Sequence, residues 1–369
     1  MSNPIRVGII GCGQIAQQHL TNYGKLGVGD VSVVAAADIN EGCAKATAEK
    51  FSVPNVYTDF RKLLERDDLD AVDVCLHNNF HRPMTEAALH AGKNVYCEKP
   101  MAGSYHDAAA MLETAKQTGK MLHIQLGTLY TDETRAAKEL IDAGELGEPF
   151  FARSTGWRRR GRAFVDGYGT PTFVQKKFSA GGALYDMGVY HIAQVLYLLN
   201  NPAPLRISGK TYQKMEMDKK RRETSGYDVE ELGIGLVRLS GDITLDIIEA
   251  WAIHLDAFEG SAIVGNKGGV RLHPFGYFRS AGHLDLSSTA DLERANFRWH
   301  SVAGDYAIYA SSQAHWIAAL QGKVPLLPTA EIALNTMLIS EGIYLSSGRG
   351  CEVSAEEVAS SSTSTAVAL

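Results

Sequence analysis

No apolar run in these 369 residues approaches the roughly 18 residues that a membrane-spanning helix needs. The opening stretch, residues 1–13, likewise lacks an apolar core ahead of a cleavage site, so the sequence predicts a chain neither embedded in a membrane nor exported. Positive charge is not in surplus: 36 lysines and arginines face 42 aspartates and glutamates, a net charge of −6. That balance excludes the cationic surfaces that bind nucleic acid or anionic membranes. Cysteine is scarce. Cys12, Cys43, Cys75, Cys97 and Cys351 are scattered, odd in number and without a CxxC pair. No metal site and no disulfide framework is therefore expected, and reduced thiols point to the cytoplasm.

The composition that remains, 45% hydrophobic and 21% charged, is that of a globular chain with a sizeable core. At about 100 to 200 residues per domain, the length fits two. Residues 1–127 alternate short apolar or β-branched runs (6–10, 31–37, 71–76, 94–97, 121–125) with helix-like segments (15–26, 41–51, 60–66, 83–91, 104–118), as a doubly wound parallel sheet does. Beyond a further helical stretch, 131–143, the pattern turns to strand runs at 150–155, 234–239, 243–251 and 261–264 with hairpin punctuation. The expected fold is an N-terminal Rossmann α/β domain, 1–127, followed by an α+β domain, 128–353, with a mostly antiparallel open sheet. Helices are predicted there over 183–199, 306–320 and 330–346. Residues 354–369 hold SSSTST with only small apolar neighbours, and a disordered tail is expected.

Directly after the first predicted strand comes Gly11-Cys12-Gly13-Gln14-Ile15-Ala16, a GxGxxA turn at the mouth of a helix. Gly11 permits the tight turn, Gly13 lets a pyrophosphate approach the backbone, and Ala16 lets helix and strand pack closely. Gln14 and Ile15 start the helix whose free amides face the phosphates. The second strand ends in Asp38, an acid that accepts from both ribose hydroxyls and repels a 2′-phosphate. The predicted cofactor is NAD.

Three further segments stand in order: Val74-Cys75-Leu76-His77-Asn78-Asn79-Phe80-His81, Tyr96-Cys97-Glu98-Lys99-Pro100, and Gly181-Gly182-Ala183-Leu184-Tyr185-Asp186-Met187-Gly188-Val189-Tyr190-His191. With the glycine turn, they resemble the Gfo/Idh/MocA oxidoreductases, the family of glucose-fructose oxidoreductase and inositol dehydrogenase. The resemblance implies that Lys99 of the Glu98-Lys99-Pro100 motif stands beside the nicotinamide, where like charge would lower its pKa and let it polarise an alkoxide. It also implies a cis proline at Pro100, and cofactor contacts from His77, Asn78 and His81, with His77 where proline is usual.

In the family the aspartate at position 186 is followed four residues later by a catalytic histidine. Here position 190 is Tyr and the histidine comes one residue late. On an α-helix at 100° per residue, Tyr190 lies about 40° from Asp186 and His191 about 140° away. That geometry favours Tyr190 as the proton-transfer residue, with His191 on the packing stripe of Leu184, Met187, Val195 and Leu198; a helix starting later would reverse the order. A tyrosine at this place also resembles the glucose-fructose oxidoreductase branch.

On the substrate side, Trp157-Arg158-Arg159-Arg160-Gly161-Arg162 and Tyr168 combine an aromatic face with hydrogen-bond donors, as a polyhydroxylated ring requires. Trp157, Arg158, Tyr168, Asp186 and Tyr190 are the expected substrate contacts. His315 and Trp316 read as core rather than cleft residues. The expected activity is NAD-dependent oxidation of a secondary hydroxyl, of C3 type, on a sugar, glycoside or cyclitol. Two alternatives stay open: an NAD-dependent glycosidase that oxidises C3 transiently, and a cofactor-binding regulator without chemistry. The resemblance implies a homo-oligomer built through the C-terminal sheet, whose run 243–251 is apolar at alternate positions.

Overall fold

The computed structural model describes residues 4–26, 30–303 and 306–369; the first three residues of the opening stretch 1–13 lie outside the described residues. Among the described residues, the first sheet has six parallel strands: β1 (Ile5–Ile10), β2 (Val31–Ala37), β3 (Val56–Tyr57), β4 (Ala71–Val74), β5 (Asn94–Cys97) and β6 (Leu122–Ile124). Their order is β3-β2-β1-β4-β5-β6, the doubly wound arrangement. Val7, Ile9, Ala71, Val72, Val74 and Val95 are wholly buried, because helices cover both faces of the sheet. Those helices are α1 (Gln14–Tyr23), α2 (Glu41–Phe51), α3 (Phe60–Leu64), α4 (Asn78–His90) and α5 (Tyr105–Thr118). Local chemistry sets their ends. Asn40 and Ser104 cap α2 and α5 by accepting backbone N–H groups, and Gly119 closes α5 in the left-handed conformation at φ 66°. Strand β3, not among the runs expected, is only two residues long, too short to show any periodicity.

The second sheet has the order β14-β13-β12-β11-β7-β10-β9-β8-β15. In chain order its strands are β7 (Pro149–Trp157), β8 (Pro204–Tyr212), β9 (Leu232–Leu239), β10 (Ile243–Ala250), β11 (Ala262–Gly265), β12 (Gly269–Arg271), β13 (Gly276–Ala281), β14 (Leu284–Ser288) and β15 (Val353–Ser354). Only β7 and β10 run parallel; the other neighbours are antiparallel. The accompanying helices are α6 (Asp132–Asp142), α7 (Lys176–Ser179), α8 (Val189–Leu198), α9 (Lys219–Ser225), α10 (Leu292–Arg298), α11 (Tyr306–Tyr309), α12 (Ser312–Leu320), α13 (Thr329–Arg349) and α14 (Ala355–Ser361). Helix α13 packs on β8, α8 and α5, and Thr329 at its start accepts the Ile124 N–H of β6 at 3.0 Å. One apolar core therefore runs from Ile10 and Val72 of the first sheet to Ile247 and Val353 of the second. None of the described helices is long and apolar enough to cross a membrane.

The tail expected to fray is ordered. Ser354 and Glu357 form a reciprocal capping box that starts α14. Past it, the Ser364 hydroxyl and the Thr365 N–H and hydroxyl donate to the buried Asp107 carboxylate at 2.7, 2.8 and 3.1 Å. Pro83, inside α4, has no N–H to give to the Asn79 carbonyl four residues back; the Val367 N–H donates to that carbonyl instead, at 3.2 Å. Small polar residues thus serve as partners for groups that another element leaves unsatisfied, a role invisible to a composition argument. Deleting residues 362–369 is expected to cost about 1–3 kcal/mol, because Asp107 and the Asn79 carbonyl lose partners. A thermal melt a few degrees lower checks this; an unchanged melt would show that the strap contributes no stability.

Candidate active site

The carboxyl ends of β1, β2, β4 and β5 form one edge of the first sheet. Gly11, between β1 and α1, has φ +91°, and a side chain there would meet the Cys75 carbonyl oxygen 2.3 Å away. Glycine is needed on both counts. A Cβ on Gly13, by contrast, would meet nothing within 4 Å, so the space before α1 is open. No side chain caps α1 and no acid stands in its first turn, which leaves amides at Gln14 and Ile15 available to an anion. Asp38, at the end of β2, accepts from the N–H groups of Cys12 and Asn40, each at 2.8 Å, and stands over the glycine turn. Asn40, not Asp38, caps α2. Ile39 beside it is 96% exposed, an apolar surface free to cover a flat ring. An open amide cradle with a carboxylate at its far end fits a dinucleotide with a free ribose diol. Asp38→Ser is expected to lower the ratio of NAD to NADP use by at least about tenfold, since like-charge juxtaposition costs several kcal/mol. Steady-state rates with both cofactors measure this, and an unchanged ratio would remove the carboxylate from cofactor choice.

The other expected cofactor residues divide. Asn78, at the start of α4, donates to the Ser179 carbonyl at 2.7 Å, and Asn79 to that of Lys177, so the start of α4 is tied to α7. His77 is exposed, its ring edge-on to Phe173. His81 is fully buried. Its ring nitrogens face the carbonyls of Pro100 and Leu76 at 2.8 and 3.0 Å, and burial lowers its pKa, so it clasps the two loops and does not enter the cleft. Glu98 is buried too, one oxygen accepting the Lys99 N–H at 2.9 Å. The Lys99–Pro100 peptide is cis.

Lys99 reaches across to the second unit. Its ammonium donates to the Asp186 carboxylate at 3.0 Å and to the Asp186 carbonyl at 2.8 Å, and lies 4.6 Å above the Tyr190 ring. Burial disfavours the charge, but Asp186, Tyr190 and Glu98 outweigh it, and the pKa lies above the ordinary lysine value. The depressed pKa expected beside a nicotinamide is thus opposed by the protein's own carboxylates. Asp186 is an anion despite burial, held by Lys99, by the Trp251 indole N–H at 2.8 Å and by Arg158 at 3.9 Å.

The helix carrying these groups does not start as an α-helix. Leu184–Gly188 is a π-turn, followed by α8. Its start is tied by Glu230, which accepts the N–H groups of Gly182 and Leu184 at 2.9 and 3.0 Å. An i→i+5 turn holds one more residue than an α-turn. The fifth residue after Asp186 therefore takes the angular place that the fourth would hold, which overturns the assignment of His191 to a packing stripe. His191 instead lines the same cleft as Asp186 and Tyr190, its side chain 28% exposed. Its Nδ1 stands 2.9 Å from the wholly buried carboxylate of Glu249 on β10, which also accepts the Ser154 hydroxyl at 3.1 Å. Burial would lower the imidazole pKa, but Glu249 prevails and raises it. The ring fits because position 156 is glycine: a Cβ there would lie 2.1 Å from His191 Cε1. Burial pushes the Tyr190 phenol up to about 12 against the opposing pull of Lys99, so its proton is not readily exchanged near neutrality.

The cleft, about 560 Å³, is also lined by Thr128, Thr131, Trp157, Arg158, Gln194 and Phe258. Of the four arginines, only Arg158 lines it. Arg162 is fully buried on Asp166 and Glu231, Arg159 donates to the Leu255 carbonyl, and Arg160 extends outward near Asp166. Tyr168 supports Arg158, taking a hydrogen bond at 2.6 Å, and is not itself among the residues lining the cleft. His315 and Trp316 are buried beside Tyr96 and His123. Glu249, Trp251 and Thr128 escaped the sequence reading. The first two lie about 60 residues from Asp186, and only the alternation of β10, with Glu249 in an otherwise apolar buried register, marked an acid facing inward.

Residues 5–126 match the family model described as "Oxidoreductase family, NAD-binding Rossmann fold", and residues 134–271 match "GFO/IDH/MocA C-terminal domain". The chain is 29% identical over 360 residues to the D-glucoside 3-dehydrogenase of Escherichia coli (strain K12), covering 95% of this chain and 98% of that one. It is 31% identical over 199 residues to the inositol 2-dehydrogenase of Salmonella paratyphi B, covering 53% and 55%. Among solved structures, an oxidoreductase from Agrobacterium radiobacter in complex with NAD+, L-tartaric acid and magnesium has the same fold, with a TM-score of 0.77 at 21% identity over 96% of this chain and 99% of that one.

Proposed function

Because the chain belongs to the Gfo/Idh/MocA family of NAD-binding oxidoreductases, we propose that it oxidises a secondary hydroxyl, of C3 type, on a glucoside or related sugar. Similarity over nearly the whole length to a D-glucoside 3-dehydrogenase supports the substrate class. The observation that carries the reaction is a cleft lined by Asp186, which holds the charged Lys99 ammonium, and by His191, an imidazole made more basic by a buried carboxylate.

The glycine turn at Gly11 and Gly13, the start of α1 and Asp38 are the residues that would hold the cofactor. Bound NAD supplies the carbon that accepts a hydride. Lys99, charged, donates a hydrogen bond to the substrate oxygen and stabilises the negative charge that develops as the carbinol hydrogen leaves with its electron pair. His191 Nε2 takes the hydroxyl proton, and Glu249, holding Nδ1–H, stabilises the imidazolium that forms. One C–H and one O–H bond would break and one C=O bond form, the proton going to His191 and the hydride to NAD when it is bound. Asp186 orients Lys99, and the Tyr190 ring fixes the ammonium from below. Trp157 offers an apolar face and Arg158 a fork of donors to the sugar.

We propose that copies associate through the open face of the second sheet; the exposure of Ile234 and Leu236 beside Ile248 supports this. The unpaired cysteines fit a reducing, cytoplasmic setting.

The test is to mix the purified protein with NAD and a panel of hexoses, inositols and aryl glycosides, following reduced cofactor and freed aglycone together. Net reduced cofactor with a glycoside is the expected result. Aglycone release without it would replace this reading by the NAD-dependent glycosidase, and neither signal would leave a cofactor-binding regulator.

A further inference from the structure

Beneath Lys99 lies a polar cluster that the reaction does not use. His19, in the second turn of α1, is 1% exposed. Its Nδ1 is 2.9 Å from Asp73 at the centre of β4, and its Nε2 is 2.8 Å from Glu98 at the end of β5. The Cys75 thiol is 3.3 Å from the same Nδ1, the Tyr96 ring meets the imidazole edge-on at 5.4 Å, and Tyr23 is buried close by. These are the titratable groups that face the ring. A carboxylate only accepts hydrogen bonds, so two carboxylates on the two nitrogens require both to carry hydrogen. The ring is then an imidazolium. Burial opposes that charge, and Asp73 together with Cys75 outweighs it.

The remaining Glu98 oxygen accepts the Lys99 N–H at 2.9 Å. One ring thus connects the helix whose amides face the cofactor phosphates, the central strand β4 and the turn that carries Lys99. We propose that His19 is a positioning residue for Lys99: gripped between Asp73 and Glu98, it holds the Glu98 carboxylate against the Lys99 backbone and sets where the ammonium stands relative to Asp186. A neutral side chain cannot do this. It would leave two buried carboxylates sharing no cation, and Glu98 would be drawn off the Lys99 N–H. The inference rests on the role given to Lys99 above, but not on the identity of the sugar.

The test needs no substrate. The acetylation rate of Lys99 by acetic anhydride, read by mass spectrometry against the other lysines, reports how firmly Asp186 holds the ammonium. His19→Gln is expected to raise that rate several-fold. Leu20→Ala, which opens a cavity one residue along the same helix, should destabilise the fold without moving it. Equal rates in His19→Gln and the natural protein, or equal increases in both variants, would overturn the proposal. If His19→Gln does not fold, the natural protein still decides the matter: nitrogen-edited NMR is expected to show hydrogen on both His19 ring nitrogens from mildly acid to mildly alkaline pH. A ring with one bare nitrogen would contradict it. Because turnover enters neither readout, a wrong sugar assignment and a wrong role for His19 give different results.

Discussion

Lys99→Ala is expected to lower turnover by about 10²- to 10³-fold, the usual cost of removing a donor aimed at a developing oxyanion, while NAD affinity stays close to that of the natural protein. The separation follows from the geometry. The glycine turn, the start of α1 and Asp38 would hold the cofactor from β1 and β2, whereas the Lys99 ammonium gives two of its three N–H groups to Asp186, stands over the Tyr190 ring and keeps one for the substrate. Removing it also leaves the Asp186 carboxylate with Trp251 and a distant Arg158, so a lesser part of the loss comes from a disordered cleft. Turnover and cofactor titration on the same preparation check this. Equal losses in both would make Lys99 a structural residue.

His191→Asn is expected to cost about 10²- to 10⁴-fold in turnover, the range for loss of a placed general base. Tyr190→Phe keeps the ring beneath the ammonium and is expected to cost far less. The histidine also has a signature in pH. Oxidation needs its imidazole neutral, so the rate falls as pH drops through the pKa of His191, which Glu249 holds above the ordinary histidine value. Glu249→Gln removes the charge that favours the imidazolium, lowers that pKa and moves the acid limb of kcat/KM to lower pH. A larger loss for Tyr190→Phe than for His191→Asn would restore the tyrosine as proton acceptor, and an unmoved limb in Glu249→Gln would assign the titration to another group.

The choice between those two neighbours marks where the sequence stops being readable. The parallel sheet was legible to within a residue or two at β1, β2 and β5, because strands buried on both faces leave continuous apolar runs bounded by turns. The glycine turn and Asp38 were legible because each has a local steric or charge reason. The face of a helix was not, since the angular argument assumes a regular helix and the turn at Leu184–Gly188 is not one. What sustains that turn is Glu230, distant in sequence, accepting its first amides. The partners of the catalytic groups were hidden for the same reason: Glu249 and Trp251 come from β10 and the residue just beyond it, and pairing across a sheet leaves no local trace. Residues 362–367 show the converse error. Their composition is that of a free tail, but Asp107 and the Asn79 carbonyl await them.

The proposed reaction moves a hydride from a sugar carbon to bound NAD, with Lys99 and His191 acting on the substrate oxygen. Methyl β-D-glucoside carrying deuterium at C3, incubated with NAD and the protein, tests it most directly. The expected product is reduced cofactor bearing one deuterium, formed more slowly than with the unlabelled glucoside. Reduced cofactor without deuterium, or none at all while the glycosidic bond is cleaved, would contradict it.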